Sequence, residues 1–161
     1  QYECTEDHGD CSILNGCETD LATVENACEG GITMYRNTGE STISGDEAAH
    51  VTYEYTSYGS KWYKVTVTDD NSGFEPDYIS VRFHLEVPPG VDYDLEVRDG
   101  CDTLVGYAES GGQGVDEIID VTWTDTPVFD NDKTIYVKVY LYSGNNCGNW
   151  SLTAAGNVHR N

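Results

Sequence analysis

Positive charge is scarce in this sequence. Its 161 residues include 8 lysines and arginines against 29 aspartates and glutamates, which gives a formal net charge of -21 at pH 7. A surface of that sign repels phosphate backbones and anionic lipids, so we expect no binding to nucleic acid. Long apolar runs are missing as well, and without a run of about 20 residues we expect no membrane insertion. Such a surface instead favours divalent cations or basic partners.

The sequence also lacks the short signatures of common enzymes. It contains no G-x-S-x-G elbow, no H-E-x-x-H, no P-loop and no dinucleotide-binding glycine pattern. Its four histidines, His8, His50, His84 and His159, are scattered along the chain. We therefore assign no catalytic residue and predict that the protein is not an enzyme. A Ser-His-Asp site built from distant positions stays open, because such sites are recognised by geometry.

Six cysteines indicate where the protein works. They are Cys4, Cys11, Cys17, Cys28, Cys101 and Cys147. Their spacing gives no paired C-x-x-C knuckles, and no histidine follows at zinc-finger distance, so disulfides are favoured over zinc. Disulfides form in oxidising compartments, and a start at Gln1 without a basic, apolar leader suits a mature secreted chain. We expect an extracellular or cell-surface location, with three connectivities open among the first four cysteines.

Alternation of apolar and polar residues dominates the chain after residue 45. The stretch "YISVRFHLEV", for example, sets five apolar side chains against four polar ones, which is typical of a strand with one buried and one wet face. About eight or nine such strands, joined by no convincing helical crossover, predict an all-β fold, an antiparallel β-sandwich of the jelly-roll kind. We divide the chain into a short, acidic, disulfide-rich N-terminal segment, residues 1–30, and a β-sandwich domain, residues 31–161.

The order of motifs resembles a known family. The segments "WYKVTV", "VRFHLEVPPGVDYDLEVRDGCDTLVGYAES" and "IYVKVYLYSGNNCGNWSLTA" are similar to the bacterial pre-peptidase C-terminal domain, a jelly-roll sandwich of secreted proteins. The stretch "LNGCETDLATVENAC" resembles a motif of Cys-rich bacterial surface and secreted proteins. The resemblance implies a secreted, generally non-catalytic accessory or interaction module. It also places Cys101 and Cys147 near one end of the sandwich, so we predict a disulfide between them.

Acidic residues are concentrated in a few stretches that could hold calcium. The candidate ligands are Asp7, Asp10, Glu18 and Asp20 near the start, and Asp69, Asp70 and Asp77 in "TDDNSGFEPD". Calcium takes six to eight oxygen ligands, which carboxylates supply, although neither stretch follows the EF-hand pattern. A third set, Asp130 and Asp132, could join them at one end of a sandwich. The alternative is that these are solvated loops whose aspartates cap their own turns.

Aromatic side chains are the second candidate binding feature. Tyr136, Tyr140 and Tyr142 share one face of a predicted strand, and Trp62 lies on the polar face of another. If exposed on an edge or near-edge strand, such residues suit contact with a protein or a sugar. The alternative is that both faces of the strand are covered. Asp92 and Asp94 are expected on the wet face of their strand.

These features together predict a non-catalytic structural or adhesive protein. We expect it to act through self-association or surface contact, with copies of itself or a cell-surface or matrix component as partner, and it could be a filament or matrix subunit. The alternative is a carbohydrate- or protein-binding accessory module of a secreted hydrolase system. The only cofactor that the sequence suggests is calcium.

Overall fold

The computed structural model describes residues 28–34, 42–46, 52–69, 78–126, 129–144 and 149–158. Ten strands run through these residues, and no helix occurs among them. The strands are β1 (Ile32–Thr33), β2 (Thr42–Ser44), β3 (Thr52–Ser57), β4 (Lys61–Thr68), β5 (Tyr78–Glu86), β6 (Val91–Asp99), β7 (Thr103–Ala108), β8 (Glu117–Thr124), β9 (Lys133–Gly144) and β10 (Trp150–Gly156). No described helix could therefore span a membrane.

The strands form two sheets that enclose one apolar core. The first sheet has the order β1-β4-β9-β6-β7, with β2 also paired to β4, and the second has the order β3-β10-β5-β8. Every pairing among β3 to β10 is antiparallel. The predicted all-β sandwich is therefore confirmed.

The core is built from the residues that the alternation pointed inward. In β5 these are Ile79, Val81, Phe83 and Leu85, and all four are fully buried. At the centre, the ring of Trp150 meets the edge of Tyr63 at a centroid distance of 5.8 Å. Its Nε1 donates a hydrogen bond of 2.9 Å to the Gly59 carbonyl, so the polar atom of the largest core residue is satisfied.

Strand order holds two features that alternation did not predict. The short strands β1 and β2 run parallel to β4 and extend its sheet by only a few residues. Strand β9 lies in the middle of the first sheet, between β4 and β6, rather than at or near an edge. The tyrosines of β9 therefore lie on a sheet face with neighbours on both sides.

A disulfide joins Cys28 to Cys101, with a Cα–Cα distance of 5.7 Å. The predicted bond between Cys101 and Cys147 is therefore wrong. Cys101 lies in the turn between β6 and β7, and the chain leading into β1 passes close enough for Cys28 to reach it. Because Cys28 is bonded to Cys101, none of the three connectivities expected among the first four cysteines occurs, and that expectation is wrong too. Cys4, Cys11, Cys17 and Cys147 lie outside the described residues, so only their participation in disulfides stays a prediction.

Candidate functional site

Three neighbouring strands, β4, β9 and β6, present a polar and aromatic surface on the side away from the second sheet. We call this surface the outer face. It is formed by Trp62, Lys64, Asp92, Asp94, Glu96, Arg98, Tyr136, Lys138 and Tyr140, which alternate with core residues along their strands. Cross-strand pairing sets Lys138 between Trp62 on β4 and Glu96 on β6. Side chains from three strands thus converge at one place.

Trp62 lies on the outer face as predicted, but its expected exposure is wrong. The side chain is only 6% exposed. The ammonium of Lys138 lies 5.7 Å from the centroid of its ring, a cation–π contact. Because the ring is covered, Trp62 forms the wall of a site rather than a free platform on which a ligand could stack.

A groove of about 300 Å³ opens on the outer face. It is lined by Cys28, Trp62, Glu96, Arg98, Cys101 and Lys138. The disulfide borders it on one side, and the strands β4, β9 and β6 supply the rest. Two of the eight basic residues of this acidic chain therefore meet in one small depression.

Hydrogen bonds hold the Arg98 side chain in place at this groove. Its Nε donates to Glu96 Oε1, and its Nη1 donates 2.9 Å to the carbonyl oxygen of Cys101. The turn that carries the disulfide is thereby tied to β6. Glu96 is 8% exposed, so the ion pair with Arg98 compensates the burial of its carboxylate.

Four carboxylates gather around the start of β6, at the end away from the groove. Asp92 and Asp94, predicted on a wet strand face, are only 6% and 3% exposed, so that prediction is wrong. Neither faces a cation across the sheet, since Asp92 pairs with Ser143 and Asp94 with Tyr140. Glu117, fully buried at the start of β8, accepts hydrogen bonds of 2.7 and 2.8 Å from the Ser110 amide. Glu109 accepts one of 3.0 Å from the Tyr140 hydroxyl.

The crowding of these four carboxylates shifts the pKa values of Asp94 and Tyr140. Burial raises the pKa of Asp94 to about 6, and the negative charges of Asp92, Glu117 and Glu109 add to the effect, while a hydrogen bond with Tyr140 opposes it. Burial also raises the pKa of Tyr140, as does its bond to Glu109. Asp94 therefore gains a proton at a mildly acidic pH at which an ordinary aspartate stays charged.

The three tyrosines of β9 share one face, as predicted, but differ in exposure. Tyr136 and Tyr140 are half-buried between neighbouring strands, and Tyr142 is 71% exposed. The register between β6 and β9 shifts at Asp92 and Tyr93, which leaves Tyr142 without a partner on β6. Of the four aromatic residues predicted to bind, Tyr142 offers the most surface.

An acidic cluster forms at the opposite end of β4. Oxygen atoms of Asp69, Asp130 and Asp132 all lie within 4.8 Å of one another. Two oxygens that each bind one calcium ion at about 2.4 Å are at most about 4.8 Å apart, so the spacing fits. Oδ1 of Asp69 is buried without a hydrogen-bond partner, the one such side-chain atom among the described residues. Burial raises the pKa of Asp132, a hydrogen bond from the Asp69 amide opposes the rise, and the negative charges of Asp130 and Asp69 add to it.

Asn131 positions this cluster. Its backbone amide donates a hydrogen bond of 2.6 Å to Asp69 Oδ2, and its side-chain Nδ2 donates one of 3.0 Å to Asp125 Oδ1. Its backbone carbonyl oxygen accepts a hydrogen bond of 3.0 Å from Trp123 Nε1. Asp69 was among the predicted calcium ligands. The other predicted ligands, Asp7, Asp10, Glu18, Asp20, Asp70 and Asp77, lie outside the described residues.

Sequence reasoning missed Lys138, Glu117 and Asn131. A signal for Lys138 was present in "YVKVY", which sets a lysine on the same strand face as two tyrosines. Glu117 begins an alternating strand and gave no sign that it would be buried. The role of Asn131 depends on contacts with Asp69, far away in the sequence.

Comparison with known proteins identifies no family for this chain. No family model matches the chain, and no curated protein matches it. Among solved structures, it is similar to the pre-peptidase C-terminal domain of a collagenase from Bacillus anthracis, with 14% identity over 70% of this chain and 91% of that chain. The TM-score is 0.40. A domain of the predicted description is thus a structural neighbour, and at this similarity it assigns neither family nor function.

Proposed function

We propose that this chain is a non-catalytic extracellular adhesive or structural protein that acts through contact between copies of itself. The observation that carries the proposal is the character of β7, the edge strand of the first sheet. Its sequence, "TLVGYA", holds no charged residue. Leu104, Val105 and Tyr107 are 44%, 41% and 50% exposed.

The edge strand of the second sheet also exposes an apolar side chain. Strand β8 is the edge strand there, and its Ile118 is 52% exposed. Ile119 of β8 packs towards Gly106, where a Cβ atom would lie 3.1 Å from its Cδ1. The two sheet edges therefore meet along one side of the sandwich. Edge strands usually carry lysines or prolines that prevent association, and β7 carries neither.

Net charge makes this edge the favourable place for a second copy. Two chains of charge -21 repel each other, and the repulsion is weakest where the approaching surfaces carry no charge. A bulge at Val105, which has no partner on β6, limits continuous strand pairing. Contact through the apolar side chains therefore contributes more than a long ladder of backbone hydrogen bonds.

The test is to introduce charge into the edge. Val105→Lys should shift the self-association measured by light scattering or analytical ultracentrifugation to at least about tenfold higher concentration, because two buried ammonium groups oppose contact. Thr56→Lys, at an exposed position on β3 at the opposite edge of the second sheet, is the charge-matched control and should leave association unchanged. A wild-type protein that stays monomeric at every concentration and salt level tested would refute the proposal.

A second candidate function is a binding module that holds an extracellular carbohydrate. It is favoured by the outer face, which combines a groove, two cations and the exposed Tyr142. Tyrosine offers a large apolar surface with a polar end, which suits sugar contact. Tyr142→Ala should weaken retention on immobilised polysaccharide, whereas Tyr78→Ala, which removes a tyrosine 61% exposed on the second sheet, should not. Equal retention of all three proteins would exclude this function.

We also propose that Asp69, Asp130 and Asp132 hold a calcium ion with a structural role. The supporting observations are the mutual distances of their oxygens and the unpartnered Oδ1 of Asp69. Hard carboxylate oxygens are the ligands that calcium prefers. An ion here would offset the repulsion between three nearby carboxylates and would fix the loop that precedes β9.

A further inference from the structure

We propose that the groove on the outer face binds the carboxylate of an acidic sugar, a hexuronate unit, through Lys138 and Arg98. This inference rests on the second candidate function, carbohydrate binding, and names its substrate class. It is carried by the contacts of the two basic residues and by the size of the groove.

Lys138 makes no ion pair with any described carboxylate. Its ammonium lies 5.7 Å from the ring centroid of Trp62 and 5.6 Å from that of Tyr140. Among the described residues it makes no ion pair and no hydrogen bond, although Glu96 is its cross-strand neighbour. The chain contains 29 acidic residues, and this ammonium lines the groove with none of its three donors used by a described residue.

Arg98 adds a second group of donors. Its Nε donates a hydrogen bond to Glu96, whose carboxylate neutralises the guanidinium charge, and its Nη1 donates one to the Cys101 carbonyl oxygen. The remaining nitrogen, Nη2, makes no hydrogen bond to the described residues. The groove thus holds two cations and one carboxylate, a net charge of +1. A ligand carboxylate would accept hydrogen bonds from the lysine and from the remaining guanidinium nitrogen.

Size and lining restrict the rest of the ligand. A volume of about 300 Å³ is at the lower end for small-molecule sites, so it fits one ring-sized unit of a longer polymer. Glu96 and the Cys101 carbonyl are acceptors at the rim, which sugar hydroxyls can satisfy. The indole of Trp62 closes one side. A carboxylate, hydroxyls and one ring together describe a hexuronate unit better than a simple anion.

The experiment measures binding of trigalacturonate to the whole chain by titration calorimetry, with a neutral galactose trimer for comparison. The wild type should bind the acidic trimer at least about tenfold more tightly than the neutral one. Lys138→Met should remove this preference, and Lys138→Arg should retain much of it. Lys64→Met is the matched control, because it removes the same charge from the same face outside the groove and should keep the preference.

Three results would overturn the inference. The first is equal affinity of the wild type for the two trimers, and the second is an equal loss in the Lys64 and Lys138 variants. The third is tighter binding of an oligoglutamate peptide than of trigalacturonate, which would assign the groove to acidic polypeptides. If neutral polysaccharide is still retained through Tyr142 in any of these cases, carbohydrate binding survives and only the hexuronate assignment fails.

Discussion

Asp94 shows how strongly one position can depend on its surroundings. It alternates with core residues on β6 and would be an ordinary solvated carboxylate if the outer face were open. Instead it is 3% exposed and lies near three other acids, with a tyrosine rather than a cation opposite. The protein therefore contains a group whose charged form opposes folding at neutral pH.

Removing that charge should stabilise the protein. The pKa of Asp94 is raised to about 6 in the folded chain, above its ordinary value of 3.8, so the folded state binds the extra proton between these values. Stability from this group is then complete at low pH and is lost as pH rises through about 6, at a cost of at most about 3 kcal/mol. Asp94→Asn should raise the melting temperature at pH 7 and flatten the change between pH 4 and 6.

Thermal melts at closely spaced pH values would check this expectation. Asp102→Asn, which removes a charge from an exposed turn, is the control and should leave the pH profile unchanged. A variant that melts below the wild type at pH 7 would show that Asp94 is needed in its charged form.

At the scale of elements, the antiparallel pairing of β4 with β9 creates the acidic cluster. Val67 lies opposite Lys133, so the residues that follow β4 meet those that precede β9. Asp69 and Asp132 are distant in sequence, but the Asp69 amide donates 2.9 Å to Asp132 Oδ1. The sheet thus brings together groups that repel each other unless a cation joins them.

Calcium should therefore stabilise this end of the sandwich. Calcium at about one hundred times its dissociation constant adds about 2.7 kcal/mol, or roughly 5 to 10 °C in melting temperature for a chain of this size. Asp132→Asn should abolish the rise. In the presence of a chelator, the same variant should melt at or above the wild type, because it relieves like-charge repulsion. If neither chelator nor excess calcium changes the melting temperature, the three aspartates do not bind calcium and belong to solvated loops.

The sequence predicted the strands well but predicted the surroundings of the site residues poorly. Alternation identified the inward residues of β5, such as Phe83 and Leu85, because burial on one face needs only the local period of two. It could not predict the burial of Trp62 or Asp94, since their cover comes from other parts of the chain. The position of β9 and the partner of Cys101 depend on strand order, which a single sequence does not encode locally. The sequence named Asp69 as a ligand and Asp130 and Asp132 as a set that could join it, but their meeting depends on the pairing of β4 with β9.

At the scale of the whole molecule, the bond between Cys28 and Cys101 fixes the approach to β1 against the turn after β6. It closes a loop with a sequence separation of 73 residues that includes the first six strands. A crosslink over a loop of this length restricts the unfolded chain by about 4 kcal/mol in the entropy model. The bond also borders the groove, so it connects stability with the proposed binding site.

Replacing both cysteines should reveal this contribution. The double variant Cys28→Ser with Cys101→Ser should melt roughly 10 °C lower than the wild type, with an unchanged far-ultraviolet circular dichroism spectrum. Both cysteines are exchanged together so that neither is left as a thiol without its partner. An identical melting temperature would show that the bond adds nothing to the stability of the sandwich.

The same crosslink decides how the molecule responds to mechanical load. If an anchor holds the chain ahead of Cys28 and a second attachment pulls on the last strands, force passes directly from one sulfur to the other. Residues 29–100 then carry no tension, and about 250 Å of extended chain stays hidden from stretching. Six of the ten described strands would be shielded, and among the described residues only those after Cys101 could be drawn out. A chain loaded in this way keeps residues 29–100 out of the path of the force, because sustained drag passes through the disulfide instead.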